Sequence, residues 1–135
     1  MRALDTNVLA RFFIDDPDDR QAARQRPAAV AALSERAFVS VTVLLEFEWV
    51  MRGFYGMARK DITRVLRALV GIEHVTVEGQ STVLTALDAF DAGLDLADAL
   101  HVCRNGRTTG FATFDRRLVR RAGSLTLPQK VELLT

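Results

Sequence analysis

Met1-Arg2-Ala3-Leu4-Asp5-Thr6-Asn7-Val8-Leu9 is the stretch that decides how the rest of the chain is read. Arg2 to Leu4 has room only for a very short strand. Asp5 stops the apolar run, and Thr6 or Asn7 can N-cap a helix through Val8-Leu9-Ala10-Arg11-Phe12-Phe13. In an open parallel sheet, ligands bind beyond the carboxyl ends of strands, so Asp5 stands where chemistry is normally done. A lone Asp-Thr-Asn is served as well by an aspartate that only caps the helix. The stretch gains weight because three later carboxylates sit in equally apolar surroundings.

Working outward, 135 residues make one domain, 1–135, able to bury roughly two-thirds of its unfolded surface. Hydrophobic residues at 49% and charged residues at 26% exclude a disordered or membrane-embedded chain. Apolar runs such as Val43-Leu44-Leu45 are cut by charges within a few residues, too soon to span a bilayer. Asp5 and Arg11 interrupt any N-terminal apolar segment, which argues against secretion. The single cysteine, Cys103, excludes an internal disulfide and suits a cytoplasmic protein. A net charge of +1 does not announce a nucleic-acid binder. Its make-up says more, since every basic residue except Lys60 and Lys130 is arginine. Arginine's flat fork suits bidentate phosphate contact, although coding bias gives the same skew.

Asp15-Asp16-Pro17 reads as a turn, with Asp16 as N-cap and a helix from Asp18 to Arg36 that Pro27 should kink or split. Ala37 to Ser40 is a short buried strand. Val41 to Met51 follows as a helix apolar on most faces, hence buried. Glu46 and Glu48 lie about 200° apart on it, so one reaches solvent and the other points inward. Thr42, Glu46 and Trp49 share one face, which makes Glu46 the site-facing candidate. Gly53 to Met57 is a turn, and Ala58 to Val70 a helix with a basic, solvated outer face.

Glu73 to Val77 is a strand and Gly79 to Ala92 a helix. Gly93 ends that helix, and Asp95 can N-cap the next, with Asp98 at its third position. Asp98 lies among Leu96, Ala97, Ala99 and Leu100, in a first turn whose dipole favours a carboxylate. Asp95 therefore reads as structural, Asp98 as functional, and His101 as packing or a secondary contact. Gly110 to Asp115 is a buried strand ending on a polar pair. It opens a helix carrying Arg116, Arg117, Arg120 and Arg121, a stripe suited to placing phosphates. The tail holds at most an edge strand around Val131 to Leu133.

Strands alternating with helices at this spacing imply an α/β fold with crossover helices. Asp5 and Asp115 then end nearby strands, and Glu46 and Asp98 ride helices that start beyond strand ends. Like charges a few ångströms apart cannot all stay ionised without a counterion. A divalent cation removes that cost, and all-oxygen ligands favour Mg²⁺ or Mn²⁺ over zinc. Such metals activate water and stabilise displacement at phosphorus, so the residues read as a metal-dependent phosphodiesterase.

Four stretches, taken together, resemble a known family. They are Leu4-Asp5-Thr6-Asn7-Val8-Leu9, Ser40 with Glu46 six residues on, Asp95-Leu96-Ala97-Asp98-Ala99-Leu100-His101, and Ala112-Thr113-Phe114-Asp115. In order and spacing they are similar to the PIN-domain nucleases, and among them to the VapC toxins of bacterial toxin–antitoxin pairs. The resemblance implies a three-layer α/β/α sandwich with a central, mainly parallel sheet of four to five strands. It implies metal coordination by Asp5, Glu46, Asp98 and Asp115, helped by Asn7 and Thr113. It also implies cleavage of tRNA or ribosomal RNA loops by activated water, a homodimer, and a cognate antitoxin that blocks the site. An antitoxin tail would find candidate pockets beside the Val41 to Met51 helix, around Phe54 and Tyr55.

Two other acidic α/β classes fit poorly. A receiver domain wants an acidic pair near the end of strand one and a lysine after the last strand. Here the next acid after Asp5 is Asp15, and Lys130 lies far into the tail. A haloacid-dehalogenase-type phosphatase wants two aspartates flanking one residue after strand one, where this chain has Asp5-Thr6-Asn7. A stand-alone RNA-processing nuclease, and a PIN fold that binds RNA without cutting it, remain as alternatives.

Overall fold

The computed structural model describes residues 1–135. The chain divides into two compact units, residues 1–80 and 81–135. The α/β class read from the sequence is present, with seven α-helices and only parallel strand pairings. The five strands divide three and two, in separate ladders. No helix is long and apolar enough to cross a membrane.

In the first unit, β1 (Arg2–Ala3), β2 (Ala37–Val39) and β3 (Val75–Val77) pair in that order, all parallel. Ala3 stands opposite Phe38, and Val39 opposite Val77. That register brings Asp5, Ser40 and Glu78, each just past a strand, to the carboxyl edge of one sheet. Helix α1 (Thr6–Phe13) leaves β1 at once, and α3 (Val41–Trp49) leaves β2 at Ser40. The start of α3 is held twice: Val43 N–H donates to Ser40 Oγ at 3.3 Å, and Val41 N–H to the Glu78 carboxylate at 2.9 Å. Phe13 packs on Phe47 with ring centroids 5.9 Å apart, tying α1 to α3. Leu9, Val39, Leu44, Phe47, Met51, Ile62, Leu66 and Leu69 are fully buried.

Three local readings of the first unit change, and in the second the strand read as buried from Gly110 to Asp115 is half-exposed, with Phe114 and Asp115 open to solvent. Helix α2 (Arg20–Leu33) begins at Asp19, whose carboxylate accepts from the Gln21 and Ala22 amides, rather than at Asp16. It also runs unbroken through Pro27. Proline removes one backbone bond, but Ala22, Ala29 and Leu33 are buried on both sides of it and hold the helix to its course. After Trp49 the chain does not turn at once. It widens into a π-helical stretch, Val50–Phe54, closed by Tyr55 N–H donating to the Val50 carbonyl, before α4 (Arg59–Val70).

In the second unit, α5 (Gln80–Asp91) ends at Gly93, whose φ of 114° is open to glycine but strained for other residues. Helix α6 (Leu96–Cys103) follows, then β4 (Phe111–Thr113), α7 (Arg116–Gly123) and β5 (Val131–Leu133), which pairs with β4. Val83, Leu87, Leu94, Leu96, Ala99 and Val102 are buried, and so is Cys103.

Candidate active site

Asp5 is the N-cap of α1, a place the sequence left open among Asp5, Thr6 and Asn7. Its Oδ1 accepts the Thr6 amide at 2.8 Å, and Oδ2 receives no protein donor. Thr6 is buried, and its hydroxyl donates to Glu46 Oε1. One residue therefore holds both candidate site acids of the first unit, by its amide and by its side chain. No sequence pattern marked Thr6 for this task, because its partner is forty residues away. A hydroxyl wedged between an acid and an apolar helix was the available signal.

The two glutamates of α3 separate as the helical wheel requires. Glu46 is exposed, on the same open face as Thr42 and Trp49. Glu48 is 2% exposed and is answered one turn on by Arg52, whose Nε lies 2.8 Å from Glu48 Oε2. The buried glutamate is thus an internal ion pair, and Glu46 is the one available to a ligand. Asn7 forms no hydrogen bond with either acid. It lines a cleft of about 330 Å³ with Arg2, Val8, Arg11 and residues of α2.

In the second unit, Asp115 repeats the arrangement of Asp5 at the end of another strand. Its Oδ1 accepts from Arg117 N–H at 2.9 Å and Leu118 N–H at 3.1 Å, capping α7, while Oδ2 has no protein donor. Thr113 Oγ1 accepts the Asp115 amide at 3.0 Å, which fixes the turn between them. Asp98 stands at the third position of α6, half-buried, and accepts no hydrogen bond. Burial pushes its carboxyl up from the ordinary 3.8, the charges of Asp95 and Asp115 add to this, and His101 pulls the other way. Asp95 occupies the N-cap position of α6 but its side chain makes no capping bond, so the structural role read for it is not carried by that bond.

The four arginines of α7 are all exposed, but they are not equivalent. Arg121 Nη1 donates to the Gly93 carbonyl at 2.5 Å, tying α7 to the turn before α6. Arg116, Arg117 and Arg120 make no side-chain contact of that kind.

The acids are thus seen as two pairs, Asp5 with Glu46 and Asp98 with Asp115. No group of three or more His, Cys, Asp or Glu side chains is gathered around one metal-binding point. The donors themselves are of the right kind: carboxylate oxygens, several without a protein partner, suit a hard divalent cation and not zinc.

Neither the curated proteins nor the solved structures compared with the chain give a match. The family model that does match is the PIN domain, over residues 2–124, which takes in both units and all four acids. PIN domains are generally nucleases, hydrolases that typically use divalent metal ions. With that match over nearly its whole length, the chain belongs to the PIN-domain family.

Proposed function

We propose that this PIN domain is a Mg²⁺- or Mn²⁺-dependent endoribonuclease of the VapC type, a cytoplasmic toxin held in check by a cognate antitoxin. The observation that carries the nuclease reading is the state of the acid oxygens. Asp5 and Asp115 each use one oxygen to cap a helix and keep the other without a protein donor, and Asp98 accepts no hydrogen bond. Asp98 is half-buried without a donor in the first turn of its helix, and the oxygens that Asp5 and Asp115 leave free belong to exposed residues that a cation can reach.

In this reading Asp5, Glu46, Asp98 and Asp115 hold the metal. A bound Mg²⁺ or Mn²⁺ would supply positive charge for the phosphate and acidity for the attacking water. The remaining tasks belong to the chain. Thr6 fixes Glu46, Thr113 fixes the turn that carries Asp115, and Asn7, which bonds neither Asp5 nor Glu46, would help only once metal or substrate is bound. Arg116, Arg117, Arg120 and Arg121 attract the RNA backbone, with Arg121 held to the Gly93 carbonyl. The substrate is a tRNA or ribosomal RNA loop, since unstacked strands enter an acidic cleft more readily than a duplex.

An open acidic site in the cytoplasm calls for a blocker, and a tail bearing arginine is the best-shaped one because it pairs bidentately with carboxylates. The antitoxin would therefore be a small protein with a basic tail, acting on a homodimer of this chain. Cleavage of total RNA with Mn²⁺, with EDTA, and by Asp98→Asn tests the enzyme. Cleavage that survives EDTA or Asp98→Asn overturns it. Co-expression with the product of the neighbouring reading frame tests the toxin assignment. If nothing relieves toxicity or co-purifies, the chain is a stand-alone RNA-processing nuclease.

A further inference from the structure

We infer that Phe114 is a stacking platform for one unpaired base of the RNA substrate, an inference that rests on the nuclease reading above. Phe114 is the most exposed large apolar side chain in the molecule, at 76%. Single exposed apolar residues are common and by themselves mean little. This one is distinguished by how it is mounted and by what surrounds it.

Its backbone lies between two fixed neighbours. The Thr113 carbonyl accepts from Leu134 N–H at 2.8 Å, and the Thr113 hydroxyl accepts the Asp115 amide at 3.0 Å. Asp115 is in turn locked to the first turn of α7 by the Arg117 and Leu118 amides. A loop closed on both sides by hydrogen bonds fixes the backbone from which the ring projects. No other aromatic ring packs on it. An unpartnered aromatic face on a fixed stretch of backbone is what base stacking needs, and only the ring itself has to be ordered when a base arrives.

The surroundings choose the occupant. Ala112, Asp115, Arg116 and Arg117 on either side are exposed, and three of these four are charged. A protein-docking spot of this size would have an apolar centre depleted of charge. An aromatic ring beside arginines fits a polyanion with stackable bases instead, where the arginines meet phosphates and the ring meets a base face. The partner must be single-stranded at this point, because bases inside a duplex are already stacked on each other. The adjacent carboxylate, Asp115, belongs to the cleavage site, so the stacked base would be one close to the bond that is cut.

The test is binding of a short single-stranded RNA of mixed sequence, measured by fluorescence anisotropy in EDTA so that the strand stays intact. Phe114→Ala should bind about tenfold or more weakly, and Phe114→Trp should restore binding, whereas Phe114→Leu should not. Melting curves of all three should match wild type, as expected for so exposed a side chain. Replacing bases one at a time by abasic nucleotides should reveal one position at which wild type and Phe114→Ala become equal. Equal binding by wild type and Phe114→Ala, or full rescue by Phe114→Leu, overturns the stacking role and leaves the nuclease reading standing. Wild type that binds no RNA in EDTA also overturns the stacking role, while the nuclease reading stands or falls separately on cleavage with Mn²⁺.

Discussion

The Thr6 hydroxyl donates to the Glu46 carboxylate while the Thr6 amide donates to Asp5, so one buried residue sets the position of two acids from distant parts of the sequence. A hydrogen bond to a charged group contributes about 1.5–3 kcal/mol, so Thr6→Val should lower stability by about that much. Valine keeps the shape and removes only the hydroxyl. Thr6→Ser keeps the hydroxyl and should recover most of the loss. Urea unfolding of the three proteins checks the stability, and RNA cleavage checks the positioning. A Thr6→Val protein as stable and as active as wild type would show that the bond does neither job.

Asp98 gives the pH dependence. Its carboxyl is raised by burial first, then by Asp95 and Asp115, against the pull of His101. A raised carboxyl means the folded protein holds that proton more tightly than the unfolded chain does. Its contribution to stability is therefore full below pH 3.8 and is lost as pH rises through the raised value. At neutral pH and without metal, the charged Asp98 is a net cost. Asp98→Asn should melt higher than wild type at pH 7, and the gap should close in acid. Asp95→Ser should recover part of the same gap with little effect on cleavage. Equal melting temperatures at pH 7 would contradict this account.

Metal should act in the opposite sense to that cost. A cation that binds the folded carboxylates and not the unfolded chain stabilises by mass action, about 2.7 kcal/mol at a hundredfold excess over its dissociation constant. Mn²⁺ or Mg²⁺ should raise the melting temperature of wild type and raise that of Asp98→Asn much less. A melting curve indifferent to millimolar Mn²⁺ would weigh heavily against the proposed ligand set.

Glu46 and Glu48 show how far the sequence could be read. Their opposite orientation follows from helical geometry alone, and so does the exposed row of Thr42, Glu46 and Trp49. The alternation of strand and helix, and the placing of Asp5 and Asp115 just past strands, were equally legible. Contacts between distant residues were not. Thr6 reaches Glu46, and Arg121 reaches the Gly93 carbonyl, across separations that no local pattern encodes. Periodicity also left the cap of α1 open among Asp5, Thr6 and Asn7, since capping depends on one backbone rotation, and it could not show that Asp95 makes no cap bond. The π-helical stretch after Trp49 escaped for a similar reason: Gly53 reads as the start of a turn, and only packing keeps the backbone coiled beyond it.

The Glu48–Arg52 pair separates structure from chemistry. Arg52→Ala leaves a carboxylate buried without its cation, a change that typically costs about 3–5 kcal/mol, lessened here because half of the arginine is exposed. Glu46→Gln removes a proposed metal ligand on the open face and should leave the fold stable while abolishing cleavage. Thermal melts and cleavage assays of the two variants should therefore give opposite patterns. Loss of stability in Glu46→Gln with cleavage kept in Arg52→Ala would exchange the roles of the two glutamates.

The arginines of α7 can be sorted by salt. Each phosphate neutralised on a single strand contributes a slope of about 0.7 in the logarithm of affinity against the logarithm of salt. Arg116 and Arg117 are exposed beside Asp115 and hold no carbonyl, so Arg116→Ala with Arg117→Ala should flatten that slope by about 1.4, twice the single-contact value. The weakening should be similar for RNAs of different sequence, because backbone contacts do not read bases. Arg121 differs, since its guanidinium is already committed to the Gly93 carbonyl at a turn where φ is 114°. Arg121→Ala should lower the melting temperature and change the salt slope less than either partner does. The measurement is RNA affinity at several salt concentrations, set beside a melting curve for each variant. If the double variant keeps the wild-type slope, the stripe is only a solvated helix face, and the phosphate contacts must come from elsewhere on the protein.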